Sequence, residues 1–160
     1  MAESRAPSSK IELRVLRSQH AASVRTEVPQ ADLSDAIGGC LQAVREALRR
    51  QGIEADGAPF VRYHAFGDIV DLEAGARVPS PIRPDGQVNP SQLPGGRAAI
   101  AIHVGPYETL KATYDAIERW LAASPHHANG GPWELYITDP SAEPDPGRWV
   151  TEVIQPLRTG

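Results

Sequence analysis

Glu134 and Tyr136 are the two residues of this chain whose types and spacing best suit chemistry. They lie two apart in a strand-like segment, so their side chains share one face, whereas Trp133, Leu135 and Ile137 share the other. We expect the apolar row to pack beneath a helix and the carboxylate and phenol to lie on the open face. A partly desolvated carboxylate among aromatic rings attracts lipophilic cations, each ring adding roughly 0.5–2 kcal/mol. Periodicity alone favours a solvated glutamate instead.

A sequence repeat indicates which elements position this carboxylate. Residues 55–64 recur at 128–137, an offset of 73 residues, with Ala, Gly, Pro and Tyr in register. So long a period is typical of two copies of one module. Tyr63 then matches Tyr136, but Val61 matches Glu134, so only the second copy carries the acid. The same offset relates two helical stripes, namely Ile37, Leu41, Val44 and Leu48 in the first copy and Leu110, Tyr114, Ile117 and Leu121 in the second.

Each copy predicts the element order β-α-β-β. The first helix is expected to begin near Asp32 or Ser34 and to end at Gly52, and the two glycines at 38 and 39 suggest close backbone packing. We predict an α+β fold with module one at residues 10–78 and module two at 97–157. Together they form one antiparallel sheet with both helices on one face and a ligand cleft between the modules. The five prolines of residues 79–96 predict an irregular surface linker.

Composition excludes several classes of protein. A formal charge of −4 argues against nucleic-acid binding, and no apolar run is long enough to span a bilayer. A single cysteine, Cys40, and the absence of a signal peptide predict a cytoplasmic protein in which this thiol packs in the core. No metal is expected at His126 and His127, because adjacent loop side chains diverge, and no cofactor is expected. Residues 1–9 are predicted to be a disordered leader.

Two motifs together carry a family resemblance. Val104-Gly105-Pro106-Tyr107 precedes the second helix, and residues 132–140 read Pro-Trp-Glu-Leu-Tyr-Ile-Thr-Asp-Pro. From about residue 10 to 157 the chain resembles the GyrI-like family, the effector-binding domain of multidrug-sensing regulators of the BmrR type that also occurs as a standalone protein. The first copy departs from this pattern, since it has Val28-Pro29-Gln30 and a few extra residues before its helix. No residues are left to encode a DNA-binding segment, so a standalone protein is expected.

The resemblance implies a cleft for bulky hydrophobic, often cationic, aromatic compounds, with a buried acid as counter-charge. By motif position Glu134 takes the acidic role and Tyr136 a lining role, while Tyr63 and Phe60 follow through the internal repeat. The expected ligand-binding residues are Glu134, Tyr136, Tyr63, Phe60, Val61, Ala101, His103 and Tyr107. The small side chain of Ala101 is expected to leave room for a guest.

Two other functions remain open at this point. Some GyrI-like proteins resemble hydrolases that open reactive cyclopropane-containing natural products, and here Glu134 would be the general base with Tyr136 as proton donor. The family's namesake, a gyrase inhibitor, implies instead a module that binds a protein partner.

Overall fold

The computed structural model describes residues 10–158, so the predicted leader at 1–9 lies outside the described residues. Its architecture is α+β, as predicted: eight strands form one antiparallel sheet with two helices. The strands are β1 (Ile11–Leu16), β2 (Gln19–Pro29), β3 (Phe60–Phe66), β4 (Ile69–Arg77), β5 (Asn89–Leu93), β6 (Gly96–Val104), β7 (Trp133–Tyr136) and β8 (Val150–Pro156). The helices are α1 (Leu33–Gln51) and α2 (Leu110–Ala122). The sheet order is β1-β6-β8-β7-β3-β4-β2-β5.

The two helices begin in the same way and differ in length. Each follows a proline and a single 3-10 turn, Gln30–Asp32 before α1 and Tyr107–Thr109 before α2. Gln30 therefore stands where the second copy has Tyr107, and the extra residues of the first copy lie within α1 rather than before it. Asp32 is the N-cap of α1, but its side chain makes no capping hydrogen bond. Gly52 ends α1 in the left-handed region, at φ +68°, as expected for a C-terminal glycine.

The sheet has a pseudo-twofold order in which the modules exchange strands. β7 pairs with β3 at the centre of the sheet. From β7 the sheet continues through β8 to β6, and from β3 it continues through β4 to β2. The edge beside β6 is β1, from the start of the chain, and the edge beside β2 is β5, from the predicted linker. Module one therefore supplies β1 to the edge beside β6 of module two, and the predicted linker supplies β5 to the edge beside β2 of module one.

The predicted irregular surface linker is in fact partly regular and partly buried. Besides contributing β5, it places Ile82 and Val88 in the core, with 5% and 1% exposure. The side-chain amide of Gln51, at the end of α1, donates a hydrogen bond to the backbone carbonyl of Arg83 and accepts one from the backbone nitrogen of Arg83. Prolines remove backbone donors, but they do not stop the apolar side chains between them from packing, and the composition alone missed this.

Both helices cover one face of the sheet, as predicted. Cys40 and Val44 of α1 pack with Val61 and Ala74, and Cys40 is 8% exposed, which confirms its predicted place in the core. Under α2, Leu110, Ile117, Ala101 and Val153 form a smaller cluster.

The other face curls around a core of its own, the interior cluster, and the two faces of β7 are the reverse of those predicted. The interior cluster contains no helical residue; its members are Ala21, Phe60, Leu93, Ala98, Ile100, Trp133, Leu135 and Ile154. Trp133 and Leu135 therefore pack inside the curl, and Glu134 and Tyr136 lie beneath the helices. Alternation along the strand was predicted correctly, but the more apolar row marks the interior of the curl and not the helix side.

Glycines allow the tight approaches that the curl requires. A Cβ on Gly75 of β4 would lie 2.0 Å from the carbonyl oxygen of Ala22 in β2. A Cβ on Gly95, between β5 and β6, would lie 2.6 Å from the backbone nitrogen of Ser18 between β1 and β2. Both distances are far below van der Waals contact, so these positions need glycine. The Gly95 contact brings the two ends of the sheet together.

Within the described residues, no helix has the length and apolar character needed to cross a membrane.

Candidate functional site

Glu134 is a buried carboxylate whose neighbours in the sheet are both apolar. It lies in β7 opposite Val153 of β8 and Val61 of β3, and its exposure is 4%. The hydroxyl of Tyr136 donates to Oε1 at 2.7 Å, and the hydroxyl of Tyr114 in α2 donates to Oε2 at 2.6 Å. In the described part of the chain no Lys, Arg or His side chain forms an ion pair with it. The carboxylate is thus held by two phenols and has no cationic partner among these residues.

Tyr114 is a site residue that was predicted only as part of a helical stripe. Its signal was a second break in the repeat, because the 73-residue offset places Tyr114 over Leu41, just as it places Glu134 over Val61. Tyr114 and Glu134, the two polar residues at these mismatched positions, form a hydrogen bond in the structure. An apolar pair in the first copy has therefore become a phenol and carboxylate pair in the second.

Burial is the largest influence on the pKa of Glu134. Desolvation raises the pKa of Glu134 above its ordinary value, and the hydrogen bonds from Tyr114 and Tyr136 offset only part of that rise. Burial, with the neighbouring Glu134 charge, also raises the pKa values of both phenols and of Tyr63. The tyrosines therefore remain protonated donors throughout the physiological range.

A cleft of about 650 Å³ opens beside this group, between the two modules. One wall is α1, and its lining includes Ile37, Leu41 and Val44. The opposite wall consists of Tyr107 and residues 136–140, and the loop 55–59 contributes a further side. The side chains of this lining are mostly apolar, and its charged members are Arg45 and Asp139. The size and character are those of a small-molecule site.

Tyr136 connects the cleft with the buried carboxylate. It belongs to the lining of the cleft, while its hydroxyl bonds Glu134. The ring of Tyr107 stands edge-on to it with centroids 5.5 Å apart, and Trp149 follows at 5.0 Å from Tyr107. A ligand in the cleft would therefore meet aromatic rings first, with the carboxylate immediately behind Tyr136.

The other predicted site residues are placed differently. Val61 and Tyr63 lie on the Glu134 face, and both pack in the cluster beneath α1. Phe60 lies on the opposite face, fully buried in the interior cluster, so it is not grouped with Glu134. Ala101 is covered by α2 and leaves no room for a guest there. His103 is 6% exposed, and its ring nitrogens lie 3.0 Å from the hydroxyls of Thr113 and Thr109, which anchors the start of α2.

The two glycines of α1 do not support close backbone packing, contrary to the prediction. A Cβ added at Gly38 or at Gly39 would meet no atom within 4 Å. Gly38 belongs instead to the wall of the cleft, and Gly39 does not. The missing side chain at Gly38 therefore widens the cleft.

A second buried carboxylate, Glu73 in β4, provides a contrast on the interior face. It is 6% exposed, and it accepts hydrogen bonds from Ser23, Ser91 and His64. Burial raises the pKa of Glu73, but its polar neighbours, with the hydrogen bonds from Ser91, Ser23 and His64 first among them, leave the pKa below its ordinary value. Glu73 is thus fully satisfied by donors from β2, β5 and β3, whereas Glu134 is not.

The described residues include no group of three or more His, Cys, Asp or Glu side chains able to hold a metal ion. The ring of His126 instead stacks on Trp120, with centroids 5.3 Å apart.

Comparison with solved structures identifies the same fold in proteins of low sequence identity. The isolated C-terminal domain of EcmrR matches with a TM-score of 0.84 and 21% identity, over 95% of this chain and 99% of that one. EcmrR in its complex with DNA matches with a TM-score of 0.86 and 23% identity over 96% of this chain, which spans 59% of the length of that chain.

Two further structures share the fold at lower similarity. A hydrolase from Listeria innocua matches with a TM-score of 0.67 and 16% identity, over 96% of this chain and 94% of that one. SAV2435 bound to tetraphenylphosphonium matches with a TM-score of 0.62 and 10% identity, over 93% and 94% of the two chains.

Sequence comparison with curated proteins found no match. A family model, that of the GyrI-like small molecule binding domain, matches residues 9–158, which is nearly the whole chain. With the fold and the cleft in agreement, the chain belongs to the GyrI-like small molecule binding domain family.

Proposed function

We propose that this protein binds bulky hydrophobic cations in the cleft between its modules, with Glu134 as the counter-charge. The observation that carries the proposal is a carboxylate at 4% exposure whose hydrogen-bond donors are two phenols. Isolating a carboxylate from water is costly unless a positive charge compensates it. A cationic ligand supplies that charge.

The rings at the cleft determine how such a cation is held. Tyr136 and Tyr107 offer π faces or edges to the cleft, and a cation over a ring gains roughly 0.5–2 kcal/mol. Because the Tyr136 hydroxyl donates to Glu134, negative charge lies directly behind that ring. The apolar α1 wall receives the hydrophobic groups of the ligand. SAV2435, which shares the fold, was solved with tetraphenylphosphonium, an ion of this chemical class.

Charges at the mouth of the cleft are balanced. Arg45 of α1 and Asp139 both belong to the lining, and the charge of Arg45 helps to lower the pKa of Asp139, after the hydrogen bonds from Ser141. The buried Glu134 therefore decides the sign of the preferred ligand.

The test uses tetraphenylphosphonium and its neutral relative triphenylphosphine oxide in calorimetric titrations of the full chain. We expect saturable binding of one cation per chain, at least tenfold tighter than binding of the neutral compound. Equal affinity for both compounds would show a merely hydrophobic cleft, and the absence of saturable binding would refute the proposal altogether.

A second candidate is hydrolysis of a reactive electrophile, such as a cyclopropane-containing natural product. The specific observation is that Glu134, with its raised pKa, lies within 2.7 Å of two phenol oxygens, an arrangement suited to general base and acid roles. A hydrolase from Listeria innocua shares the fold. Glu134 would take the proton of the attacking water, and Tyr136 would protonate the leaving atom.

Turnover separates the two candidates. The protein is incubated with a small panel of such electrophiles, and the products are analysed by mass spectrometry for addition of water. Addition that is faster than in buffer and is lost in Glu134→Gln would support hydrolysis; unchanged electrophile would exclude it for the compounds tested. The gyrase-inhibitor-like, protein-binding alternative stays a prediction.

A further inference from the structure

A second pocket, the interior pocket, lies on the face of the sheet opposite the helices. Its volume is about 300 Å³, and its apolar wall includes Trp133 and Leu135 of the interior cluster. Its polar wall comes from the end of β1, the turn after it and the end of β4. The interior pocket and the cleft have no lining residue in common, and Glu134 does not line the interior pocket.

The charged residues of the interior pocket are predominantly basic. Arg14, Arg17 and Arg77 line it, against a single carboxylate, Glu152. The chain as a whole carries a formal charge of −4, so this cluster does not reflect a generally basic surface. Arg14 pairs with Glu12, but among residues 10–158 neither Arg17 nor Arg77 has an ion-pair partner. The pocket therefore has uncompensated positive charge.

Arg77 has a buried donor without an acceptor. Its Nε is fully shielded from solvent and has no hydrogen-bond partner, and its Nη1 reaches only the side-chain oxygen of Gln19, at 3.5 Å. Buried donors normally find partners, and an exception calls for an explanation. An acceptor supplied by a ligand is such an explanation.

The loop before β3 leaves space for the same guanidinium. A Cβ on Gly57 would lie 2.6 Å from Nη2 of Arg77, and Gly57 has φ +91°, a conformation that favours glycine. The backbone nitrogen of Asp56 also donates to the carbonyl of Arg77 at 2.7 Å. The loop thus accommodates the guanidinium of Arg77 and binds its backbone.

We propose that the interior pocket is a second ligand site and binds a small organic anion, a carboxylate or a phosphate monoester. Arg77, Arg17 and Arg14 surround the anionic group, since a guanidinium presents donors in a fork that matches both kinds of oxyanion. Trp133 and Leu135 contact the rest of the ligand, whose size the pocket limits. No residue that lines this site also lines the cleft.

The test is calorimetric titration of the full chain at low ionic strength with benzoate, phenyl phosphate and neutral benzyl alcohol. We expect saturable binding of at least one of the anions, and the tighter of the two identifies the preferred oxyanion. Benzyl alcohol should bind at least tenfold more weakly. In ¹H–¹⁵N spectra the Arg77 Nε–H signal should shift in proportion to occupancy.

Variants locate the binding. Arg77→Gln and the loop variant Arg17→Gln should each weaken anion binding at least fivefold, whereas Arg49→Gln, at an exposed position in α1, should not. The Arg17 variant keeps the test valid if Arg77→Gln unfolds. Glu134→Gln should leave anion binding unchanged, so failure here is distinguishable from failure of the cation proposal. No saturable anion binding, equal binding of benzyl alcohol, or an equal loss in Arg49→Gln would overturn the assignment.

Discussion

At the scale of single residues, the two buried glutamates show how environment decides the role of a carboxylate. Glu73 receives three donors, one of them a histidine, and its pKa is lowered despite burial. Glu134 lies between two valines beneath two phenols, and burial raises its pKa. The first carboxylate stabilises the fold, and the second costs folding free energy. Retaining a costly charge in a cleft is characteristic of functional sites.

The cost at Glu134 predicts an unusual dependence of stability on pH. A raised pKa in the folded state means that ionisation disfavours folding, by about 1.4 kcal/mol for each unit of the rise. Without ligand, Glu134→Gln should therefore be as stable as wild type or more stable at pH 8. That advantage should shrink as the pH falls through the raised pKa, because the wild-type carboxyl then becomes neutral as well. Urea unfolding at several pH values measures this; a variant that is clearly less stable at pH 8 would contradict it.

At the scale of elements, the strand β5 is attached to the sheet by Glu73. Ser91 of β5 and Ser23 of β2 donate to the same carboxylate oxygen, and His64 of β3 contacts the other. The segment that the sequence analysis described as irregular is thus joined to the sheet through a buried charge. Proline content predicted the break in regular structure correctly around residues 79–88, but it could not predict that Ser91 donates to Glu73, a carboxylate two strands away in the sheet.

The β5 attachment predicts sensitivity to acid. Because the pKa of Glu73 is lowered by folding, its contribution to stability is present above the ordinary glutamate pKa and is lost as the pH falls through the lower folded value. Ser91→Ala removes one donor and should cost about 1 kcal/mol at pH 7. It should also move the loss of stability to higher pH. Ser80→Ala, an exposed position in the same segment, is the control, and an equal effect there would contradict the account.

The helix α1 offers a matched pair of positions that tests the cleft. Gly38 lies in the wall of the cleft, and its neighbour Gly39 points elsewhere with equal free space. Leucine at either position should stabilise the helix by roughly 0.5–1 kcal/mol relative to glycine. Gly38→Leu should nevertheless weaken tetraphenylphosphonium binding at least tenfold, and Gly39→Leu should leave it unchanged. Thermal melts and titrations give both quantities; equal affinities in the two variants would place the ligand outside the cleft.

At the scale of the whole molecule, the 73-residue repeat was sufficient to predict two modules, the antiparallel sheet and helices on one face. It could not predict the exchange of β1 and β5, because β5 lies in the proline-rich segment outside both predicted modules and each of these strands pairs with the opposite module. Hydrophobicity assigned the faces of β7 wrongly, because in this one strand the apolar row, Trp133 and Leu135, packs in the interior cluster and Glu134 lies beneath the helices. Glu134 was found from its mismatch with Val61, and its partner Tyr114 shows the same kind of mismatch with Leu41.

The whole-molecule account is that a cleft between two related modules acquires its preference for cations from one carboxylate, which only the second module carries. The most direct measurement is the affinity for tetraphenylphosphonium of wild type, Glu134→Gln and Glu73→Gln at pH 7.5, each first shown to be folded by circular dichroism. The account predicts a loss of at least tenfold in Glu134→Gln, about 1.4 kcal/mol, and a change below twofold in Glu73→Gln. Unchanged affinity in Glu134→Gln would contradict the central claim.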